Sequence, residues 1–411
     1  MLSVREALDL LLGAAEPVAG EERISTFDAD ARVLAQDLIS PFDVPRMRCT
    51  QMDGYAVRAA DCAGASEAQP VQLPVVQRIP AGQVARALQP GTAARIFTGA
   101  MVPDGADAVV MQEQTTADGD QVLIRHAPPA GEWVRPIGED IAQGATILSA
   151  GARLTPQALG LAASVGFAEL PVRRRVRVAT FFTGDELAMP GEPLRPGAIY
   201  NSNRFVLRAW LARLGCEVKD YGIVRDRREA TIDALRAAAL DADLIVTSGG
   251  MSVGDEDHVR PAVEAIGRLA LWQIAVKPGK PLAFGEIGNA LQRSGRAAYF
   301  IGLPGNPVSS FVTFLLFVRP FVRALQGCDP KTLEPVRRRM RADFDWSKPD
   351  RRQEYLRVRL NAEGGLDLYP SQSAAVLTSA VWADGMVENP PGQAIQRGDA
   401  VDFIAFADFL L

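Results

Sequence analysis

The alternation that begins near residue 174 and runs to about 327 constrains this chain more than any other feature. Short, near-continuous apolar runs (176–182, 244–247, 299–303) and a further strand-like run (217–224) are separated by segments of helical periodicity. A strand with no polar face must be buried on both sides, and strands joined through helices run parallel. The pattern therefore predicts a parallel sheet covered by helices on both faces. Asn201 or Asn203 is placed to cap a helix that runs to residue 214 and stops at Gly215. A second helix is expected over 229–240. A third opens at Asn306-Pro307, with Pro320 kinking or ending it.

Both flanks have a different texture. Residues 2–40 read as helical, with Ser3 as N-cap and Val4, Leu8, Leu11 and Leu12 at helical spacing. From about 44 to 145, β-prone runs (71–79, 95–97, 108–111, 122–124) alternate with turns such as Pro103-Asp104-Gly105. Another helix starts at Thr155-Pro156, ends at Gly166, and is expected to pack with the N-terminal ones. After Asp329-Pro330 the chain turns β-like again (355–360, 366–369, 400–404). The expected class is α/β plus β, in several domains. A helical linking domain takes 1–45 and 146–173, and a β-rich domain (46–145) is inserted in it. A doubly wound, mostly parallel sheet takes 174–328, and a small β-barrel-like domain takes 329–411.

Composition removes several functions. Of 411 residues 48% are hydrophobic and 23% charged, the balance of a core-forming protein. A formal net charge of −5 offers no global basic field for nucleic acid. Cys49, Cys62, Cys216 and Cys328 stand far apart, and only His126 and His258 could assist them. A Cys/His zinc site or a disulfide framework is therefore not expected, and a reducing cytoplasm fits. Asp9 breaks the one apolar run at the N-terminus, so no secretory signal is read there. The most apolar stretch, 311–318, is far short of the ~20 residues a membrane span needs.

In open parallel sheets ligands bind beyond the carboxyl ends of the strands, so the loops there carry the candidate chemistry. Thr183-Gly184-Asp185-Glu186-Leu187 follows the first strand. Ser248-Gly249-Gly250-Met251-Ser252-Val253-Gly254 follows the third and runs into Asp255, Glu256 and Asp257. Its glycines let backbone N–H groups approach a phosphate, although it is neither a P-loop nor a dinucleotide turn. A tight structural turn is the plain alternative. Lys277-Pro278-Gly279-Lys280-Pro281 sets two lysines in a stiff frame. Leu303-Pro304-Gly305-Asn306-Pro307 opens a helix whose N-terminus can hold an anion. Carboxylates gather at neighbouring strand ends, among them Glu186, Asp226 and Asp257. Such oxygen ligands suit Mg2+ bound together with substrate phosphates, with Glu186 and Asp257 as the metal ligands.

Together with Met52-Asp53-Gly54-Tyr55-Ala56, Ile96-Phe97-Thr98-Gly99-Ala100 and Gly138-Glu139-Asp140-Ile141, these loops resemble the molybdopterin molybdenumtransferase family, the bacterial MoeA proteins and the gephyrin E domain. Seven motifs in the family order run essentially end to end. The resemblance implies a molybdopterin-binding fold, four domains, and an elongated homodimer with a site shared between subunits. It implies that molybdenum from molybdate enters adenylylated molybdopterin with release of AMP, in the presence of Mg2+. Family positions map to Asp53, Thr98, Asp140, Glu186, Asp226, Asp257, Lys277 and Lys280. Arg352 and Ser373 fall in the family's C-terminal stretches, where Gln372-Ser373-Ala374 departs from the commoner Gly-Ser-His. Implied partners are the molybdopterin adenylyltransferase and the molybdoenzymes that accept the cofactor. The rival readings are a molybdopterin adenylyltransferase, which shares the α/β fold, and a non-enzymatic scaffold.

Overall fold

A computed structural model describes residues 1–18, 20–251, 258–288 and 296–409. The chain forms two compact units. One comprises Met1–Gln36, Ala150–Pro156 and Glu169–Leu411, the other Asp37–Ser149 and Gln157–Ala168.

The first unit is built on a six-stranded sheet. Its strands are β1 (Arg177–Thr183), β2 (Glu217–Val224), β3 (Leu244–Ser248), β4 (Gly267–Gln273), β5 (Pro281–Ile287) and β6 (Ala298–Leu303), in the order 2-1-3-6-5-4. The first four strands of that order are parallel, while β5 pairs antiparallel with both β6 and the edge strand β4, so the sheet is mixed. Side chains alternate between two cores. Val178 and Phe182 of β1 pack with Leu207 and Leu211 of helix α1 (Ser202–Arg213). Ala179 and Phe181 pack instead with Leu235 of α2 (Arg228–Ala239) and Val263 of α3 (Val259–Ile266). Each such aromatic or leucine contributes roughly 1.5–3 kcal/mol by leaving water. Because the chain leaves β1 for β2 on one side and β3 on the other, a crevice opens beyond the ends of β1 and β3.

Pro320 does not end its helix. α4 (Pro307–Thr313) passes through a π turn (Phe314–Val318) into Arg319–Leu325. The wider turn takes up the irregularity that a proline imposes on the preceding carbonyls. The resulting helix, Pro307–Leu325, is longer than the 311–318 run and passes a membrane-span test by length and composition. However, 89% of its apolar window is buried inside the fold.

The expected N-terminal helical region is also corrected. Val4–Ala14 is α-helical, started by a reciprocal Ser3–Glu6 capping box, and a single 3-10 turn stands further on at Thr26–Asp28. Pro17 and Gly20, the latter with φ +113°, then turn the chain into a strand, Glu21–Ser25, that pairs antiparallel with Glu169–Arg173. The linking segment is therefore part strand and not helical throughout.

Beyond α4 lie β7 (Arg338–Arg341), β8 (Gln353–Leu360), β9 (Leu366–Leu368), β10 (Gly385–Asn389) and β11 (Ala400–Ala405). They pair antiparallel in the order 9-8-10-11-7, and a bridge from Ala342 to Leu366 brings the two ends together, so the sheet curls. Val276–Lys277, far away in sequence, adds a short parallel segment beside β8.

The second unit holds its own six-stranded sheet. Gly54–Val57 lies between Ala108–Met111 and Ala93–Ile96, followed by Val71–Ile79, Gln121–Ile124 and Thr115–Asp118. All of its pairs are antiparallel except Val71–Ile79 with Ala93–Ile96.

Candidate active site

A cleft of about 960 Å³ opens at the carboxyl ends of β1, β3 and β6. Its floor is the glycine turn after β3. Gly249 and Gly250 have φ of +101° and +61°, and a Cβ on either would stand 2.3 Å from the Thr183 carbonyl oxygen or 2.6 Å from Thr183 Oγ1. Only glycine lets this backbone lie against the end of β1. Ser248 donates to the Pro304 carbonyl at 2.8 Å. Asn203 Nδ2 donates to both Ser248 Oγ (2.9 Å) and the Gly305 carbonyl (2.8 Å), tying two strand ends to the start of α1. Of the two candidate caps, Asn201 caps α1, with its side chain accepting from the Arg204 amide. Asn201 Nδ2 and Thr183 Oγ1 are buried at the cleft and have no hydrogen-bond partner among the described residues. Buried donors left unpaired are costly, so both are available to the acceptors of a ligand. In sequence Thr183 stands out only as part of its loop and Asn201 only as a cap; neither reads there as a ligand donor.

The acidic wall comes from Glu186 and Asp226, which both line the cleft. Burial first, and then the negative charge of Glu186, push the Asp226 carboxyl above its ordinary range. A cation between the two would relieve that repulsion, which is the chemistry Mg2+ meets when one or two carboxylates and substrate phosphates hold it. Among the described residues no three acidic, Cys or His side chains are grouped to hold a metal by themselves. Ser252, Gly254 and Asp257 lie outside the described residues.

Lys277, Lys280 and Arg352 form the basic wall. Arg352 grips Asp350 through Nε and Nη2, each at 2.9 Å, and this holds the Asp350 carboxyl well below the usual carboxylate range. Lys277 Nζ lies 3.1 Å from Glu354 Oε1 and 3.5 Å from Asp350 Oδ2. Ser373 reaches the cleft on a loop braced by its neighbour: the Gln372 amide accepts from the Arg357 N–H and donates to the Arg357 carbonyl. That backbone-like pairing accounts for a glutamine at this position. Pro304, Gly305, Asn306 and Pro307 line the cleft as well. The Asn306 side chain makes no cap bond, however, and the Val308 N–H at that helix start donates to the Ala374 carbonyl at 2.9 Å. Part of the anion-binding capacity expected of this terminus is already used.

Asp53, Thr98 and Asp140 belong to the second unit. There Asp53 Oδ1 accepts from both the Thr98 hydroxyl and the Thr98 N–H, each at 2.7 Å, and those bonds hold its carboxyl below the ordinary range. Asp140 sits apart in an exposed turn, with its N–H on the Val44 carbonyl.

Three family models cover nearly the whole chain: the MoeA N-terminal region (domain I and II) over 2–166, a probable molybdopterin binding domain over 179–324, and the MoeA C-terminal region (domain IV) over 339–406. The chain belongs to the MoeA family. It is 41% identical to a molybdopterin molybdenumtransferase of Haemophilus influenzae over 329 residues, 80% of this chain and 78% of the relative. It is 36% identical to one from Synechococcus elongatus across 96% of both. The crystal structure of the molybdopterin biosynthesis MoeA protein from Pyrococcus horikoshii OT3 superposes with a TM-score of 0.84 at 26% identity, covering 99% of this chain and all of that one. This MoeA chain is a transferase of molybdenum cofactor biosynthesis.

Proposed function

We propose that the cleft takes adenylylated molybdopterin and molybdate, and that the chain transfers molybdenum to the pterin dithiolene with release of AMP. The observation that carries this reading is the convergence of a glycine turn, an acidic pair and a basic wall on one cleft. The Gly249–Gly250 backbone, held by the hydrogen-bonded Ser248, suits a phosphate pressed against the end of β1. Lys277, Lys280 and Arg352 suit the remaining phosphate charge and a small tetrahedral oxyanion. Cleavage of the phosphoanhydride consumes one water: the phosphorus–oxygen bond to the leaving AMP breaks, and the water oxygen remains on the other phosphorus. Insertion exchanges two Mo–O bonds of molybdate for two Mo–S bonds, and the two displaced oxygens leave as water with the two dithiol protons and two from solvent. Glu186 and Asp226, with Asp257, would hold Mg2+, which polarises the diphosphate and stabilises its developing charge when bound. No protein nucleophile is needed, in keeping with the absence of a Ser/His or Cys/His constellation from the cleft lining among the described residues.

The motifs around Asp53, Thr98 and Asp140 support a homodimer in which a second copy supplies these residues. Four buried free cysteines suit a reducing cytoplasm. The product implies hand-over to cofactor-accepting molybdoenzymes, and the substrate implies supply by an adenylyltransferase. The test is to count AMP after mixing the protein with adenylylated molybdopterin, with and without molybdate. Molybdate-dependent release of one AMP per pterin is expected. Consumption of ATP with unmodified molybdopterin, and no AMP release, would assign the cleft to adenylylation.

A further inference from the structure

We propose that Glu354 is a positioning residue, a buried carboxylate whose task is to fix the Lys277 ammonium at the cleft wall. This rests on the reading of the cleft as a phosphate and oxyanion site. Lys277 and Glu354 are 77 residues apart in sequence yet are register partners, because Val276–Lys277 runs parallel to the start of β8. The Gln353 N–H donates to the Ala275 carbonyl at 3.0 Å and locks that register. Parallel register partners share a face of the sheet, so the ammonium and the carboxylate meet by construction.

Glu354 is only 1% exposed, and a carboxylate in that setting is costly unless every lone pair finds a donor. Its Oε2 accepts from Trp346 Nε1 at 2.8 Å and Asn389 Nδ2 at 3.3 Å, while its Oε1 accepts from Lys277 Nζ at 3.1 Å. Both neutral donors sit on one oxygen, which leaves the other for the lysine. The Trp346 ring closes a further side, 5.9 Å from Nζ. Asp350 also approaches Lys277, but Arg352 already occupies both of its oxygens. Lys280, three residues on in the same loop, is exposed and has no ion pair among the described residues. One loop thus offers a fixed cation and an unfixed one. A charge fixed in advance stabilises a transition state without reorganising, so its loss lowers rate more than affinity.

Glu354→Gln should therefore lower single-turnover AMP release at least tenfold, with the KM for adenylylated molybdopterin unchanged within about threefold. In a Lys277→Ala background the same change should add less than about a twofold loss, because the carboxylate acts through the lysine. Equal losses in both backgrounds, or an unchanged rate, would overturn the proposal. Trp346→Phe, which keeps the ring but removes the donor to Oε2, should lower the rate in the same direction and serves if Glu354→Gln does not fold. Reductive methylation of the ligand-free protein, read by mass spectrometry, tests positioning even if the cleft catalyses another reaction. With Lys280 as internal standard, Glu354→Gln should raise Lys277 labelling several-fold, and an unchanged Lys277-to-Lys280 ratio would overturn the proposal.

Discussion

Two acidic sites of this chain are set up in opposite ways. Asp53, in the second unit, is surrounded by donors: the Thr98 hydroxyl and amide stabilise its negative charge and pull its carboxyl down. Asp226, at the end of β2, is partly buried beside Glu186, and both effects push its carboxyl up. The first arrangement keeps a charge that needs nothing more. The second holds like charges together at a stability cost, which a cation or a proton would offset. On this comparison Asp53 is a fixed acceptor, and the Glu186–Asp226 pair is where the proposed function puts the metal chemistry.

The largest expected effect comes from breaking the second site. Asp226→Asn should lower single-turnover AMP release by about 100-fold or more while the fold stays intact, since a metal supplies several kcal/mol and each 1.4 kcal/mol is tenfold in rate. Asp53→Ala should also be inactive, through the second copy. Mixing it with inactive Glu186→Ala should restore roughly a quarter of wild-type activity, because random exchange leaves that fraction of sites whole in a symmetric dimer. No restoration would place both residues' effects in one subunit.

A smaller effect distinguishes the two sites by sign. A carboxyl raised in the folded state contributes stability that is full below its unfolded pKa and is lost as pH rises through the folded one. A lowered carboxyl does the reverse. With metal chelated, the Tm of Asp226→Asn relative to wild type should therefore rise as pH climbs above about 4, the ordinary aspartate value. That of Asp53→Asn should fall as pH climbs toward about 4 from below. Matching signs in a calorimetric pH series would remove the distinction. Smallest of all, Asn306→Ala should leave Tm almost unchanged. A working N-cap is worth ~1 kcal/mol, but this side chain makes no cap bond.

What the sequence disclosed follows from how local each signal is. β2 is an unbroken strand pattern with its own turn residues, and its observed bounds, Glu217–Val224, match the expected strand. The glycine turn was visible because Gly249 and Gly250 meet a constraint inside a few residues. The β4–β5 hairpin was missed, since the Pro278-Gly279 turn between its strands read as a ligand loop, and β4 takes its place only from pairing with β5, as β5 does from pairing with β6. Glu354 was invisible for the same reason: in sequence it is one more acid in a charged run, and only register with Lys277 gives it a role. Glu21–Ser25 reads as polar helix until its partner, 169–173, is known. Pro320 reads as a kink or a stop, and only the π turn before it shows that the helix runs on.

The most direct test of the account is single-turnover AMP release from adenylylated molybdopterin across a Mg2+ titration, for wild type, Glu186→Ala and Asp257→Ala. The account predicts that wild type saturates with metal, while each variant stays slower by orders of magnitude at every concentration and retains part of its affinity for the nucleotide through the glycine turn and the basic wall. Variant rates within about twofold of wild type at saturating Mg2+ would contradict it and reduce the acids at these strand ends to solvated surface charge.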